Sequence, residues 1–440
     1  MQSSHVESKR IRQECWALSW PAMLSGLSVP LLGLVDTSIV GHLGGAAPIA
    51  AVALASWLFD VMYWAFGFLR MGTTGLVAQH LGQVNLKPLY ALLIRASALA
   101  IGIGCLLLLI LPWCAAPLLA WMTQEQPIHQ EAVAYFQARL WGGPAVLLNY
   151  VLLGTLLGAQ YPRWALCMQV GMNGLNCWLS WTWSIPYGVA GVGAASALSQ
   201  WITLIIMLGI WGVKQKEIWH TLTSSLIYES LLHLKAWKTV LFLNLNLMIR
   251  TLVLLGSFGL LHWVGSQLGG IYIALNALFL HLQSLHAFAL DGFAHGAEVL
   301  IGQAYGQKDQ RRLRLILRES LFLTGISACL LTGIYWLGSG WILSLLTNET
   351  HLLALIPQYQ IWIILTPLIS AACFLLDGVA IGLTASKAMR NSMVISGLLY
   401  GFSLAIWVPL FHNHGVWMAF LSFMVARAFT LWMPLAHYFK

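Results

Sequence analysis

Long apolar runs separated by short polar turns fill the chain from residue 16 to residue 437. Each is about 20 residues or more, enough to cross the hydrocarbon core of a bilayer as an α-helix. The runs lie near 16–40, 47–80, 88–111, 129–158, 163–185, 189–212, 239–264, 271–303, 312–338, 352–383, 389–410 and 415–437. Twelve runs predict an all-α membrane protein with twelve transmembrane helices. The one long polar stretch, Lys214 to Lys238, falls between the sixth and seventh. Within it, Leu222 to Leu234 has an amphipathic pattern, predicting a helix along the membrane surface. Inside the eighth run, His281, Ser284, Asp291, His295 and Glu298 fall within about 100° of one another on a helical wheel, while His286 points elsewhere. In the seventh run, Asn246, Arg250 and Ser257 share a face.

The pattern occurs twice. Gly67-Phe68 recurs as Gly292-Phe293, Gly72 as Gly296, Gln79 as Gln303, and Gly82-Gln83 as Gly306-Gln307. Gly154 and Gly158 recur as Gly378 and Gly382, and Arg163 as Lys387, at a spacing of about 224 residues. His42-Leu43-Gly44 has a looser echo in Gln267-Leu268-Gly269. Six spans per copy is an even number, so both copies cross the membrane in the same sense. The predicted architecture is two six-helix lobes related by a pseudo-twofold axis along the membrane normal. The expected organisation is an amino-terminal lobe over 1–213, a cytoplasmic linker over 214–238 and a carboxy-terminal lobe over 239–440. A duplicated membrane protein of this kind is expected to work as a transporter with its cavity between the halves.

Charge placement sets the orientation. Lys9, Arg10, Arg12, Lys87, Arg163, Lys214, Lys216, Lys235, Lys238, Lys308, Arg311, Lys387, Arg390 and Lys440 all fall on one side of a twelve-span map. The opposite loops, such as His42 to Pro48, Gly265 to Gly270 and His412 to Gly415, carry no Lys or Arg. Positive residues stay inside, which places both termini in the cytoplasm of a multi-pass inner-membrane protein. Charged residues make up 8% of the chain, against roughly 25% in soluble domains. The net charge of +8 is read as contact with anionic membrane lipid, not with nucleic acid. The polar start runs straight into the first span without a cleavable signal. The seven cysteines form no CxxC pair and read as small buried hydrophobes, with neither metal nor redox chemistry expected. Trp178, Trp181 and Trp183 suggest an interfacial belt at the outer end of span five.

Ionisable groups inside the spans are costly and point to function. They include Asp36, Asp60, Arg70, Arg139, Arg250, Asp291, Glu298, Asp377 and Arg427. Fixed structural pairing is the alternative for about half of them. Asp36 stands six residues after Pro30, whose missing N–H bends span one, so its protonation can be tied to helix shape. A proton and a cationic substrate would compete there. The span-eight stripe lines either a cavity or a helix contact, and Glu298 alternatively reaches the cytoplasmic interface. Arg250 is expected to be neutralised by Asp291 or Asp377. Asn149, Asn173 and Asn176 line the amino-terminal cavity or glue its helices together. Asp377 aligns with Leu153 and Asp36 with Leu261, so each lobe has its own carboxylate and the copies have diverged. No nucleophile elbow, HExxH, Walker loop or dinucleotide fingerprint occurs, so neither an enzyme nor a cofactor is expected.

At this level of detail the chain resembles the MATE (multidrug and toxic compound extrusion) transporters, and within them the DinF branch. The resemblance rests on Pro30-Leu-Leu-Gly-Leu-Val-Asp36-Thr-Ser-Ile-Val-Gly-His-Leu-Gly44 and Gly67-Phe-Leu-Arg-Met-Gly-Thr-Thr-Gly-Leu76. It rests also on Leu290-Asp-Gly-Phe-Ala294 with Gly302-Gln303, on Leu376-Asp-Gly-Val-Ala-Ile-Gly382, and on Met389-Arg-Asn-Ser-Met393. It runs from about residue 15 to 437 and implies two six-helix lobes around a V-shaped cavity that alternates between faces. It implies export of amphipathic, often cationic, small molecules in exchange for H⁺ or Na⁺, by a monomer. Asp36 matches the family's first-helix acid and Asp377 its tenth-helix acid. The second acid that many relatives carry in helix five is absent: Leu179-Ser180 stands there after Asn176.

That departure favours H⁺, since a sodium ion without its water wants several oxygens and Arg250 opposes a cation in the other lobe. The proton-coupling and substrate residues expected are Asp36, Pro30 and Asp377. The cavity candidates are Asp60, Arg70, Asn149, Asn173, Asn176, Arg250, His281, Asp291 and His295. Na⁺ coupling and a lipid-linked-precursor flippase are the alternatives, the latter disfavoured because its cavity would need more cationic groups.

Overall fold

The computed structural model describes residues 2–41, 46–83, 86–214, 224–347 and 349–440, the side chains of 2–5, 28–37, 46, 213–214 and 224–227 excepted. Among the described residues every regular element is helical. The first half of the chain forms α1 (Gln2–Gly41), α2 (Ala46–Ala65), α3 (Phe68–Gly82), α4 (Leu86–Met122), α5 (Gln126–Leu140), α6 (Gly143–Gly158) and α7 (Pro162–Lys214). The second half forms α8 (Ser224–Leu232), α9 (Leu234–Leu268), α10 (Gly270–Gly306), α11 (Gln310–Leu346), α12 (Thr350–Gly382), α13 (Ser386–Phe411) and α14 (Asn413–Leu435).

Their starts follow from local chemistry. Proline stands in the first turn of α5, α6 and α7, where its missing N–H costs nothing. Asp309 caps α11 by accepting the Arg312 N–H at 2.9 Å.

Among the described residues nine helices are long and apolar enough to span a membrane, and the pair α5–α6, bent by 51°, makes a tenth. Helix α7 passes through Gly188 at φ 58°, ψ −142°, so its 53 residues are two spans meeting at a sharp turn. With α1, 40 residues long, the count reaches the expected twelve. The helices overrun the apolar windows that announce them. At 37 residues and 1.5 Å per residue, α11 is about 55 Å long, well beyond a hydrocarbon core of about 30 Å. Hydropathy registers only the lipid-crossing part, whereas backbone hydrogen bonding carries the helix on into the interface.

The chain divides into two compact units: residues 1–26 with 243–440, and residues 27–242. In the first, α12 is the most enclosed helix while α11 and α13 are peripheral. Its core is aromatic, with Phe279, Tyr400, Trp417, Phe420 and Phe423 all essentially inaccessible. The beginning of α1 belongs here. Met23, Ser19 and Cys15 close over Gly292 and Gly296 of α10. Arg12 pairs with buried Glu319 of α11, Glu7 pairs with Arg311 at 3.0 Å, and Glu14 pairs with Arg312 at 3.3 Å. In the second unit, Phe59, Tyr63, Tyr135, Phe136 and Leu140 form the centre of one core.

The duplication is visible in both units at the level of backbone. Gly154 and Gly158 of α6 lie on the carbonyls of Arg70 and Thr74 of α3, where an added Cβ would sit 2.6 Å from each oxygen. Gly378 and Gly382 of α12 lie in the same way on the carbonyls of Ala294 and Glu298 of α10. Both contacts shift together by 224 residues. The left-handed residues obey the same offset: Gln160 (φ 62°) matches Thr384 (φ 53°), and Gly188 (φ 58°) matches His412 (φ 51°).

One expectation is corrected. Only Cys15 and Cys373 are buried, while Cys105, Cys114, Cys167 and Cys329 are exposed on helix surfaces. A membrane helix presents an apolar face to lipid as readily as to its neighbours, so apolar surroundings in sequence do not imply burial. The linker helix α8 docks on α4, with Arg95 Nε donating to the Ser230 carbonyl at 2.9 Å and Lys87 3.6 Å from Glu229.

Candidate functional site

In the unit containing residues 243–440, the charged residues converge. Asp377 on α12 is gripped by two arginines through the same oxygen. Arg250 on α9 donates to Oδ2 from Nη2, and Arg427 on α14 donates to Oδ2 from Nη2 at 2.7 Å. The second arginine is almost completely enclosed, with its guanidinium 5.5 Å from the Phe423 ring centre and Nη1 3.4 Å from Met424 Sδ. The Nε atoms of both arginines are buried without a hydrogen-bond partner among the described residues. Partly exposed Asp291 on α10 acts electrostatically on Arg427, so two cations and two acids balance within the cluster. The pairing left open in the sequence is thus Arg250 with Asp377, and Arg427 joins it.

The α10 stripe is continuous with this cluster. His281 and Ser284 are exposed, Asp291 and His295 are half-buried, and His286 points away into the core against Tyr335. Glu298 is enclosed by protein. It is fully buried and takes a hydrogen bond at 3.0 Å from His295 Nδ1.

The other unit has its own cluster, set where two spans are broken. The α2–α3 span is interrupted at Phe66–Gly67, and the α5–α6 span at Trp141–Gly142. Broken spans within a membrane protein are where polar groups and ligands are accommodated. Arg139, at the end of α5, donates to Tyr135 Oη at 2.8 Å and Ser56 Oγ at 3.1 Å, and lies 4.8 Å from the Phe59 ring centre. Asp60 on α2 is exposed and electrostatically coupled to Arg139. Tyr63 and Tyr150 sense both charges, and Tyr150 also senses Arg70. The Tyr63 hydroxyl is buried with no partner among the described residues.

Asn149 spends its amide on the Gln200 carbonyl at 3.0 Å and side chain at 2.8 Å. Asn176 donates to Ser196 Oγ at 2.9 Å and is approached by Ser180 at 3.5 Å, while Asn173 is half-buried. Asp36 and Pro30 lie on helical backbone of α1, but their side chains are outside the described residues. Arg139, Arg427 and the tyrosines around Asp60 are not among the expected site residues. The two arginines are visible in the sequence as intramembrane charges, but the tyrosines carry no signal that separates them from packed aromatics.

The fold and its duplication are shared with known proteins. The MatE family pattern matches the chain twice, over residues 21–182 and 247–407, reproducing the duplication. DNA damage-inducible protein F of Escherichia coli is 34% identical over 430 residues, covering 94% of this chain and 90% of the relative. A protein of Acinetobacter baylyi named as a probable multidrug resistance protein, NorM, is 24% identical, covering 91% of this chain and 87% of that one. The fold matches that of a MOP-superfamily transporter from Pyrococcus furiosus with a TM-score of 0.84 at 18% identity, covering 97% of this chain and 96% of that one. Two tandem family matches, a relative similar over nearly its whole length and an all-helical fold shared with solved transporters make this chain a member of the MATE family of membrane transporters, in its DinF branch.

Proposed function

We propose that the protein is a secondary antiporter that exports amphipathic small molecules, organic cations among them, across the bacterial inner membrane in exchange for H⁺. It works by alternating access as a monomer with both termini in the cytoplasm, and is a transporter rather than an enzyme. Drug extrusion is suggested by the probable multidrug resistance protein of Acinetobacter baylyi. The observation that carries the choice of ion is the double arginine grip on Asp377. A sodium ion needs several oxygens at once, and the tenth-helix carboxylate is already neutralised by two guanidiniums that cannot give up their charge. A proton requires only one poised carboxylate, the role assigned to Asp36 beyond Pro30. Protonation of Asp36 from outside releases the substrate, and its deprotonation toward the cytoplasm resets the transporter.

Uptake of a fluorescent cationic dye into inside-out vesicles, driven by an imposed pH gradient in Na⁺-free buffer, tests this reading. Accumulation by the wild type that is lost in Asp36→Asn supports it. Accumulation that appears only when Na⁺ is supplied reassigns the ion, and full transport by the folded Asp36→Asn variant removes the mechanism.

A further inference from the structure

We propose that His295 and Glu298 form a second proton-carrying pair, which loads and unloads a transported proton in the unit that contains Asp377. This rests on the H⁺-coupled reading above and adds a site to it.

Glu298 is wholly buried in α10, eight residues, or about 12 Å, from the carboxy-terminal end of that helix. A bare carboxylate there costs several kcal/mol unless something neutralises it. What neutralises it differs from every comparable case in this unit. Glu319, equally buried on α11, is held by Arg12, and Asp377 is held by Arg250 and Arg427. Arginine keeps its proton under all conditions, so those pairs are fixed. Glu298 is held by an imidazole, which unlike a guanidinium can exist without its extra proton.

Only Oε2 of Glu298 is engaged, by His295 Nδ1 at 3.0 Å, and Oε1 is buried with no partner among the described residues. A buried oxygen without a partner is an exception among buried polar groups and leaves Oε1 free to carry a proton. With one proton the His–Glu pair has no net charge and suits its surroundings; with two it is a cation, and with none an anion. Proton number therefore changes the charge of a largely buried site.

The duplication argues against a packing role. In the other unit the position equivalent to Glu298 is Thr74 and that of His295 is Met71, at the same offset of 224. Thr74 occupies the same helix contact under Gly158, with its hydroxyl turned back onto the Arg70 carbonyl at 2.9 Å. The contact can evidently be built without any charge.

Access and transmission are both present. His295 is 20% exposed at its side chain, and half-buried Asp291 and exposed His281 continue along the same face, a line of titratable groups that ends at Glu298. Gly378 and Gly382 of α12 press on the carbonyls of Ala294 and Glu298, so the turn bearing the pair touches the helix bearing Asp377 backbone to backbone. The other titratable or charged groups on elements packed here are Asp291 on α10, Asp377 with its two arginines, Glu319 with Arg12, and Cys15 on α1. Of these, the acids on α11 and α12 have permanent cationic partners.

The test uses purified full-length protein and two readouts. Infrared difference spectra between acid and alkaline pH should show the C=O band of a weakly hydrogen-bonded carboxylic acid, absent from Glu298→Gln and retained in Asp377→Asn. In vesicles, Glu298→Gln should keep dye exchange in the absence of a gradient and lose accumulation driven by a pH gradient. His295→Asn, which retains a donor toward Glu298, should keep the band but move its midpoint, and it serves if Glu298→Gln does not fold. Persistence of the band in Glu298→Gln, an unmoved midpoint in His295→Asn, or unchanged gradient-driven accumulation without Glu298 overturns the proposal. A wild type that shows the band but no pH-driven transport refutes H⁺ coupling itself, and the coupling role of the pair with it.

Discussion

Asp377 shows how far a single residue can be read before it is seen. As an acid within an apolar run it is a candidate partner for Arg250, with Asp291 as the other. Its second arginine comes from a helix 50 residues away in sequence and shares the same carboxylate oxygen. Removing the carboxylate leaves two buried cations facing each other. Asp377→Ala is expected to destabilise the protein by roughly 3–5 kcal/mol, seen as a large fall in the melting temperature of the detergent-solubilised protein. Arg427→Met, which leaves Asp377 paired with Arg250, should cost clearly less. A different residue-scale strain sits at His412, whose φ of 51° and ψ of −129° reproduce those of Gly188 in the other unit, where glycine takes the conformation without a Cβ penalty. His412→Gly should therefore raise stability by about 1 kcal/mol, measurable in the same melts. Neither the strain nor its relief is written in the local sequence, since histidine is tolerated in many turns.

At the scale of helices, the repeated glycines divide into those that carry contacts and those that do not. A side chain at Gly378 would run into the backbone of Ala294. Gly378→Val should push α12 away from α10 and abolish accumulation of folded protein, read as monodisperse yield on size exclusion. Gly325 and Gly333 of α11 have nothing within 4 Å of the place a Cβ would take. Gly325→Ala should be neutral, or stabilising by up to about 1 kcal/mol through helix propensity. The recurring Gly154/Gly158 and Gly378/Gly382 spacing was legible as repetition, and packing supplies its meaning. Helix breaks were less legible. Gly67-Phe68 stands at an interruption while the identical Gly292-Phe293 lies inside continuous α10. Likewise Gly143-Pro144 opens α6, whereas Pro367, the counterpart of Gly143, is accommodated within unbroken α12. Identical or similar dipeptides can take either course, because neighbouring helices decide whether the freed backbone groups are satisfied in line or at a bend.

For the whole molecule, duplication and charge asymmetry together predict topology. Cysteines introduced at Lys308 and at Gly269, in a background without the exposed native thiols, should label from opposite sides. A membrane-impermeant maleimide should reach Lys308→Cys only in inside-out vesicles and Gly269→Cys only in intact cells. Labelling of both from one side would contradict a twelve-span arrangement. The two compact units do not follow chain order at their edges, since the first 26 residues group with residues 243–440. Tight contacts of Cys15, Ser19 and Met23 with the α10 glycines and the ion pairs of Glu7, Arg12 and Glu14 account for that grouping. Hydropathy cannot reveal it, because a span looks the same whichever bundle it packs into.

The amino-acid order alone determined the helical class, the approximate spans, the repeat and the family. The first three follow from hydrophobic length and from residues recurring at a constant interval, properties of the chain that need no partner, and the family follows from the motifs that resemble it. Tertiary structure alone decided which charges meet. Asp377 closes on two arginines, Arg139 turns to Tyr135 and Ser56, and Glu298 is left to His295. In a medium that cannot solvate ions, each charge must find its partner on another helix or another turn, and only the packing of helices brings those partners within reach.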